Sequence, residues 1–228
     1  GYALARSLES RRKGLSVALD NVSNAKNVLN VAEGGYQNIM DILQTCKEKA
    51  TQAADGSLSL AQLTALDTQV SELIKEVDSI ADGTKFNSYS LIGGTTDAFV
   101  FHTGEEAGDV LSVQLQSADS AGLSIGVGQI SLTTTTDAAA AITTLGTAID
   151  NLSTSVQEVG QFKARLDSKE SNLSVAITNT EAVRSKIEDA DFALEQMEVM
   201  KLQILQQTAL SSFVQANSDP QIVLSLFR

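Results

Sequence analysis

The chain carries one proline, one cysteine, one histidine and no tryptophan in 228 residues. Each scarcity excludes something. A lone Cys46 cannot form an intrachain disulfide. A lone His102 rules out an HExxH metal site, and no Ser-His-Asp or Cys-His constellation is visible around it. Aromatics make up only 4% of the residues, little for a compact globule, and a near-absence of proline removes the usual breaker of helices. Lys and Arg number 16 against 28 acidic residues, a formal charge of −12, which opposes binding to a phosphate backbone. No apolar run approaches the roughly 20 residues of a membrane span. Neither nucleic acid nor membrane insertion is expected.

What is present is long apolar periodicity. From Leu4 to Ala54 two seven-residue series interleave. One is Leu8, Leu15, Val22, Leu29, Tyr36, Leu43 and Ala50; the other is Leu4, Ala18, Ala25, Ala32, Ile39, Cys46 and Ala53, broken at Arg11. These are the a and d positions of a coiled coil. Such a helix spans roughly 75 Å at 1.5 Å per residue, with Gly34-Gly35 marking a bend or a close approach. Asp55-Gly56-Ser57 predicts a reversal, followed by a second helix over 59–81 whose stripe reads Leu63, Leu66, Val70, Leu73, Val77 and Ile80.

From Asp82 to Thr136 the helical spacing stops and Gly, Ser and Thr become frequent. Residues 98–102 and 110–115 read as short strands around a turn bounded by Gly104 and Gly108, and 124–134 as a further β ribbon. A third helix is predicted from a cap at or near Asp137. Its first stripe runs Leu145, Leu152, Val159, Leu166, Leu173, Thr180, Ile187 and Leu194. Its second runs Ala148, Phe162, Ala176, Val183, Ala190, Met197 and Ile204, interrupted at Ser155 and Lys169. Ser218-Asp219-Pro220 is expected to end this helix before a short apolar tail.

The layout predicts a mainly α fold: an elongated antiparallel coiled-coil rod of two long helices and one shorter one, with a small β-rich hairpin region in the middle. Residues 1–81 would be N-terminal rod helices, 82–136 a β-rich outer region, 137–193 a C-terminal rod helix and 194–228 a separate terminal segment. Single candidates for chemistry read as structural. Cys46 falls on a d position and reads as a small buried hydrophobe. Glu105, Glu106 and Asp109 lack the ligand spacing of an EF-hand loop. Gly126-Val127-Gly128 lacks the third glycine of a dinucleotide site. Neither cofactor nor metal is expected, and nothing marks an enzyme.

Several strings resemble the bacterial flagellins. At the C-terminal end these are VRSKIEDADFA at 183–193, ILQQ at 204–207, QAN at 215–217 and PQIVLSLFR at 220–228, in the family's order and spacing. Toward the N-terminus Gly14-Leu15, Ala32-Glu33-Gly34, residues 43–52, residues 84–88 and Phe101 to Val113 are similar to family segments. The resemblance implies a short flagellin: an exported, self-assembling filament subunit for motility, cytoplasmic with a chaperone before export. Gly1 reads as an internal point of a longer chain that lacks the family's first segment, and such a piece is not expected to form normal filaments.

The resemblance also implies partners. They are other flagellin subunits, cap and junction proteins, and a dedicated export chaperone. The chaperone and the filament core would use the apolar C-terminal segment: Leu194, Met197, Ile204, Leu205, Leu210, Phe213, Val214, Val223, Leu224, Leu226 and Phe227. Without its N-terminal partner this segment is expected to be disordered or covered by another molecule. A surface facing the innate immune receptor for flagellin is implied at Gln44, Thr45, Lys49, Gln52 and Gln69. Thr45 and Lys49 stand where activating relatives carry Arg and Leu, and Gln69 where many carry Glu, which predicts weakened recognition. Two other readings are a hook–filament junction protein and a flagellin-like cell-surface binding module.

Overall fold

The computed structural model describes residues 1–95 and 97–226. Three helices dominate: α1 (Tyr2–Ala53), α2 (Leu60–Gly83) and α3 (Thr135–Leu226). Between α2 and α3 lie β1 (Lys85–Phe86), β2 (Tyr89–Ser90), β3 (Phe99–His102) and β4 (Val110–Val113). The fold is therefore mainly α, with long helices and two small hairpins. The chain divides into two compact units, Gly14–Val175 and Gly1–Lys13 with Ala176–Arg228.

In the larger unit the heptad stripe of α1 is buried without a break: Leu15, Ala18, Val22, Ala25, Leu29 and Ala32, continuing through Tyr36, Ile39, Leu43, Cys46, Ala50 and Ala53. A strict seven-residue repeat keeps one face against its neighbours. Each large aliphatic on it contributes about 1.5–3 kcal/mol. On α3, Leu145, Leu152, Val159, Leu166 and Leu173 are buried as the spacing predicts. The second α3 stripe fades: Ala148 and Ser155 are buried, while Phe162 and Lys169 are only half-buried. The two helices run antiparallel. Lys26 Nζ lies 2.7 Å from Glu170, and Lys163 Nζ 2.7 Å from Glu33.

Gly34-Gly35 does not break α1. It is a close approach: a Cβ on Gly35 would fall 2.6 Å from Thr84 Oγ1 and 2.7 Å from Ile92 Cδ1, so only a hydrogen fits there. After Ala53, Asp55 Oδ1 accepts from Ser57 N and turns the chain. Ser59 and Gln62 then form a reciprocal capping box that starts α2.

The buried stripe of α2 is Leu63, Leu66, Val70, Ile74, Val77 and Ala81. It departs from the expected seam, because Leu73 and Ile80 are only half-buried. This face follows the 3.6-residue turn of a straight helix, and the 3.5-residue seam of a coiled coil drifts off it.

Two further expectations are corrected, and the cap expected at or near Asp137 is located. Residues 124–134 form turns and no strand; side chains of α2 hold this stretch, with Asp67 Oδ1 accepting from Leu132 N at 2.7 Å. Similarly, Asp78 Oδ1 accepts from Ser120 N at 2.6 Å. The cap of α3 is Thr134, whose Oγ1 accepts from Asp137 N, and Asp137 sits within the first turn, where its charge complements the helix dipole. Finally, α3 runs through Pro220 to Leu226. Proline's fixed φ is compatible with a helix, but its missing N–H and the clash of its ring with the i−4 carbonyl make Pro220 a weak point of the element.

The β3–β4 pairing aligns Phe99 with Val113 and His102 with Val110, within the two segments read as strands. The β1–β2 hairpin was not foreseen. It turns on Asn87 (φ 48°) and Ser88 (φ 68°), a pair of left-handed residues matching a two-residue hairpin loop.

Candidate assembly surfaces

In the smaller unit, α3 beyond Phe192 finds no cover among the described residues. Leu194, Met197, Ile204, Leu205, Leu210, Phe213, Val214, Val223, Leu224 and Leu226 are each at least 54% exposed. Phe227, the eleventh residue of the predicted set, lies outside the described residues. The segment is a continuous helix through Leu226 and not a disordered tail. Phe192, Val199, Met200 and Ile222 join the exposed set without having been singled out as site residues.

The apolar residues do not share one side. At 100° per residue, Phe192 and Leu210 fall on one line, while Leu194 and Leu226 fall within about 20° of the opposite line. Ile204 and Ile222 occupy one flank, and Leu202 and Phe213 the other. A helix apolar all round is one made to be surrounded. A single partner helix would cover one stripe and leave the rest in water.

Closer to its start, the smaller unit is held by charge. Glu9 accepts from Arg12 at 2.8 Å and lies 3.6 Å from Arg184. Arg12 lies 3.4 Å from Glu181, and Arg184 also pairs with Glu188. The hydrogen bond from Arg12, with the charges of Lys13 and Arg184, brings the Glu9 carboxyl from an ordinary 4.5 to about 2. Arg184, Glu188 and the Ser185–Asp189 hydrogen bond all belong to the VRSKIEDADFA string. The basic residues near the N-terminus are thus drawn into ion pairs: Arg12 and Lys13 both meet Glu9.

The residues of the implied receptor surface separate into two places. Lys49 Nζ donates to Gln69 Oε1 at 2.7 Å, joining α1 to α2. Thr45 Oγ1 donates back to Asp41 O, and Gln52 is exposed. Gln44 sits roughly 140° around α1 from Lys49, on a groove shared with Lys47, Thr51 and Ile149 of α3.

Nothing here assembles chemistry. Burial pushes the Cys46 thiol up to about 11, so it is neither a nucleophile nor a ligand at neutral pH. His102 is exposed, and its backbone carbonyl accepts from Asn21. In the acidic turn, Asp109 Oδ2 is taken up by Glu106 N. Among the described residues no group of three His, Cys, Asp or Glu side chains could hold a metal. Among them, too, no helix is long and apolar enough to cross a membrane.

Long helices and a terminal helix with exposed apolar side chains on every side fit a structural, assembling protein. Comparison with known sequences supplies the family. Residues 1–97 match the bacterial flagellin N-terminal helical region, and residues 142–227 the bacterial flagellin C-terminal helical region. Flagellin FlaB2 of Treponema pallidum is 30% identical, over all of this chain and 85% of its own length. The flagellin of Halalkalibacterium halodurans is 28% identical, over all of this chain and 84% of its own. Among solved structures, Bacillus cereus flagellin superposes with a TM-score of 0.58 at 26% identity, covering 68% of this chain and 88% of that one. A putative flagellar hook-associated protein from Vibrio parahaemolyticus reaches a TM-score of 0.67 at 15% identity, covering 80% and 95%, a likeness of fold alone.

The chain belongs to the bacterial flagellin family. It is a structural subunit of the flagellar filament and not an enzyme.

Proposed function

We propose that the α3 segment from residue 194 onward is the filament-core and chaperone-binding part of the subunit. Residues 1–81 and 137–193 then serve as the rod and 82–136 as its outward-facing portion. The supporting observation is the exposure of large apolar side chains on every face of that helix. Such a surface is unstable in water unless covered. In the cell a helical export chaperone covers it, and in the filament neighbouring subunits, with cap and junction proteins at the ends, do so. Subunits pass the export channel unfolded and refold at the tip. No disulfide has to form or break on the way, since Cys46 is alone. Open, head-to-tail stacking of the refolded subunits extends the filament.

Leu205→Glu and Phe213→Glu test this reading. Both side chains are already exposed, so circular dichroism and the thermal midpoint should stay within error of the parent. Co-purification with the chaperone should be lost, and so should whatever filament formation the parent shows by electron microscopy. Normal filaments from either variant would sink the assignment.

Weak recognition by the innate immune receptor is supported by Thr45 and Lys49 standing where activating relatives carry Arg and Leu, and by the engagement of Lys49 with Gln69. Thr45→Arg with Lys49→Leu should raise signalling in a receptor reporter assay at least several-fold. An unchanged response would remove these residues as the cause.

A further inference from the structure

The apolar stripes of α1 and α3 in the larger unit repeat every seven residues, so they reward an alignment shifted by one heptad almost as well as the native one. Clamps from Asp67 and Asp78 fix the stretch before α3 begins, not the long pairing that follows. Beyond these clamps, the ion pairs flanking the stripes carry alignment information of the required pattern.

Lys26 of α1 meets Glu170 and Asp167 of α3, each at 2.7 Å. One heptad further along α1, Glu33 meets Lys163, one heptad back along α3, also at 2.7 Å. The sign of the charge alternates on each helix. Sliding α3 by a heptad in one direction brings Lys26 opposite Lys163 and leaves Glu33 against Val156. Sliding it in the other direction brings Glu33 opposite Glu170 and leaves Lys26 against Ile177. Both neighbouring alignments thus contain a like-charge pair beside an apolar seam. All four side chains lie along the seam, where Lys26, Lys163 and Glu33 are less than one-third exposed. Screening is weaker there than in open solvent.

We propose that Lys26, Glu33, Lys163 and Glu170 form a register code: they select the native alignment of α1 with α3 as the chain folds by penalising both one-heptad slips. The four residues act on pairing specificity. Their net stabilisation of the folded state is secondary, as expected of ion pairs near a surface.

The swap Glu33→Lys with Lys163→Glu separates these roles. It keeps composition, net charge and an ion pair at the native position. It also turns both slips attractive, placing Lys26 opposite the new acid or the new lysine opposite Glu170. The experiment uses the full chain with Cys46→Ala and spin labels on cysteines replacing the exposed Asn30 and Asn151. Samples are refolded by dilution from denaturant, frozen at intervals, and read by electron–electron double resonance. A slip displaces the labels by about 10 Å along the axis.

The parent should show one distance at every time. The swap should show additional, displaced distances early in refolding and a slower approach to the native one, by at least ten-fold. Lys163→Gln relieves only the slip that faces Lys26, which shortens the label distance. Glu33→Gln relieves only the slip that faces Glu170, which lengthens it. Should the swap fail to regain its helical signal, these two neutral variants decide by the direction of their displaced populations. A single parental distance at all times in the neutral variants, or in a folded swap, would overturn the proposal.

Discussion

Gly34 and Gly35 are adjacent, helical and alike in sequence, yet they do different work. An added methyl on Gly34 meets nothing within 4 Å, whereas one on Gly35 would collide with Thr84 and Ile92. Alanine is favoured over glycine in a helix by about 1 kcal/mol. Gly34→Ala should therefore raise stability by up to about 1 kcal/mol in urea unfolding. Gly35→Ala should lower it, by about 1–3 kcal/mol, as overpacking outweighs the propensity gain. Equal effects of the two would show that the close approach is not tight. The sequence marked the pair as a place of bending or contact. It could not say which glycine faces the contact, because that depends on where Thr84 and Ile92 arrive from far along the chain. Tyr36 illustrates the same point. Its stripe position was legible, but its hydroxyl donates to the Gln116 carbonyl at 2.6 Å, a partner no local pattern announces.

At the scale of elements, periodicity was a sound guide wherever one face alone is buried. The stripes of α1 and the first stripe of α3 are legible for that reason. α2 is short, packs along its straight-helix face, and so escaped the heptad reading by one position at Ile74 and Ala81. The two-residue strands β1 and β2 are too brief to show alternation, and only the left-handed Asn87-Ser88 pair marks them. In the smaller unit the segments 1–13 and 176–190 meet through ion pairs centred on Glu9. Its carboxyl is depressed to about 2, so its contribution is complete above the ordinary value of 4.5 and fades as pH falls from there through about 2. Arg12, Lys13 and Arg184 face it, with Glu181 as the opposing like charge. Carboxyl resonances followed by NMR should give Glu9 a midpoint near 2, and Glu9→Gln should flatten the acid-induced loss of contact between these segments. A midpoint near 4.5 would mean that the ion pairs do not persist in solution.

For the whole molecule, the long heptad stripes and the flagellin-like strings made the assembling class readable, whereas the terminal helix, read as apolar on one side, exposes apolar side chains on all sides. That distinction rests on angles around the helix, not on counts of hydrophobic residues, and it changes the kind of cover the segment requires. The central stretch was the least legible part. Residues 116–134 carry no ladder of their own; two α2 carboxylates hold their backbone from a distance, and such long-range partners leave no trace in local composition.

Those two carboxylates make the stretch resemble a strap pinned at Ser120 and Leu132, with buried Leu123, Ile125 and Ile130 seating it between the pins. Val127 and Gly128 (φ +83°) form a fully exposed turn between those seated residues. A foreign loop spliced between them lengthens the strap and disturbs neither pin, so the thermal midpoint should move by no more than a few degrees on calorimetry. The turn is a natural mount for displaying a peptide epitope, repeated once per subunit along a polymer.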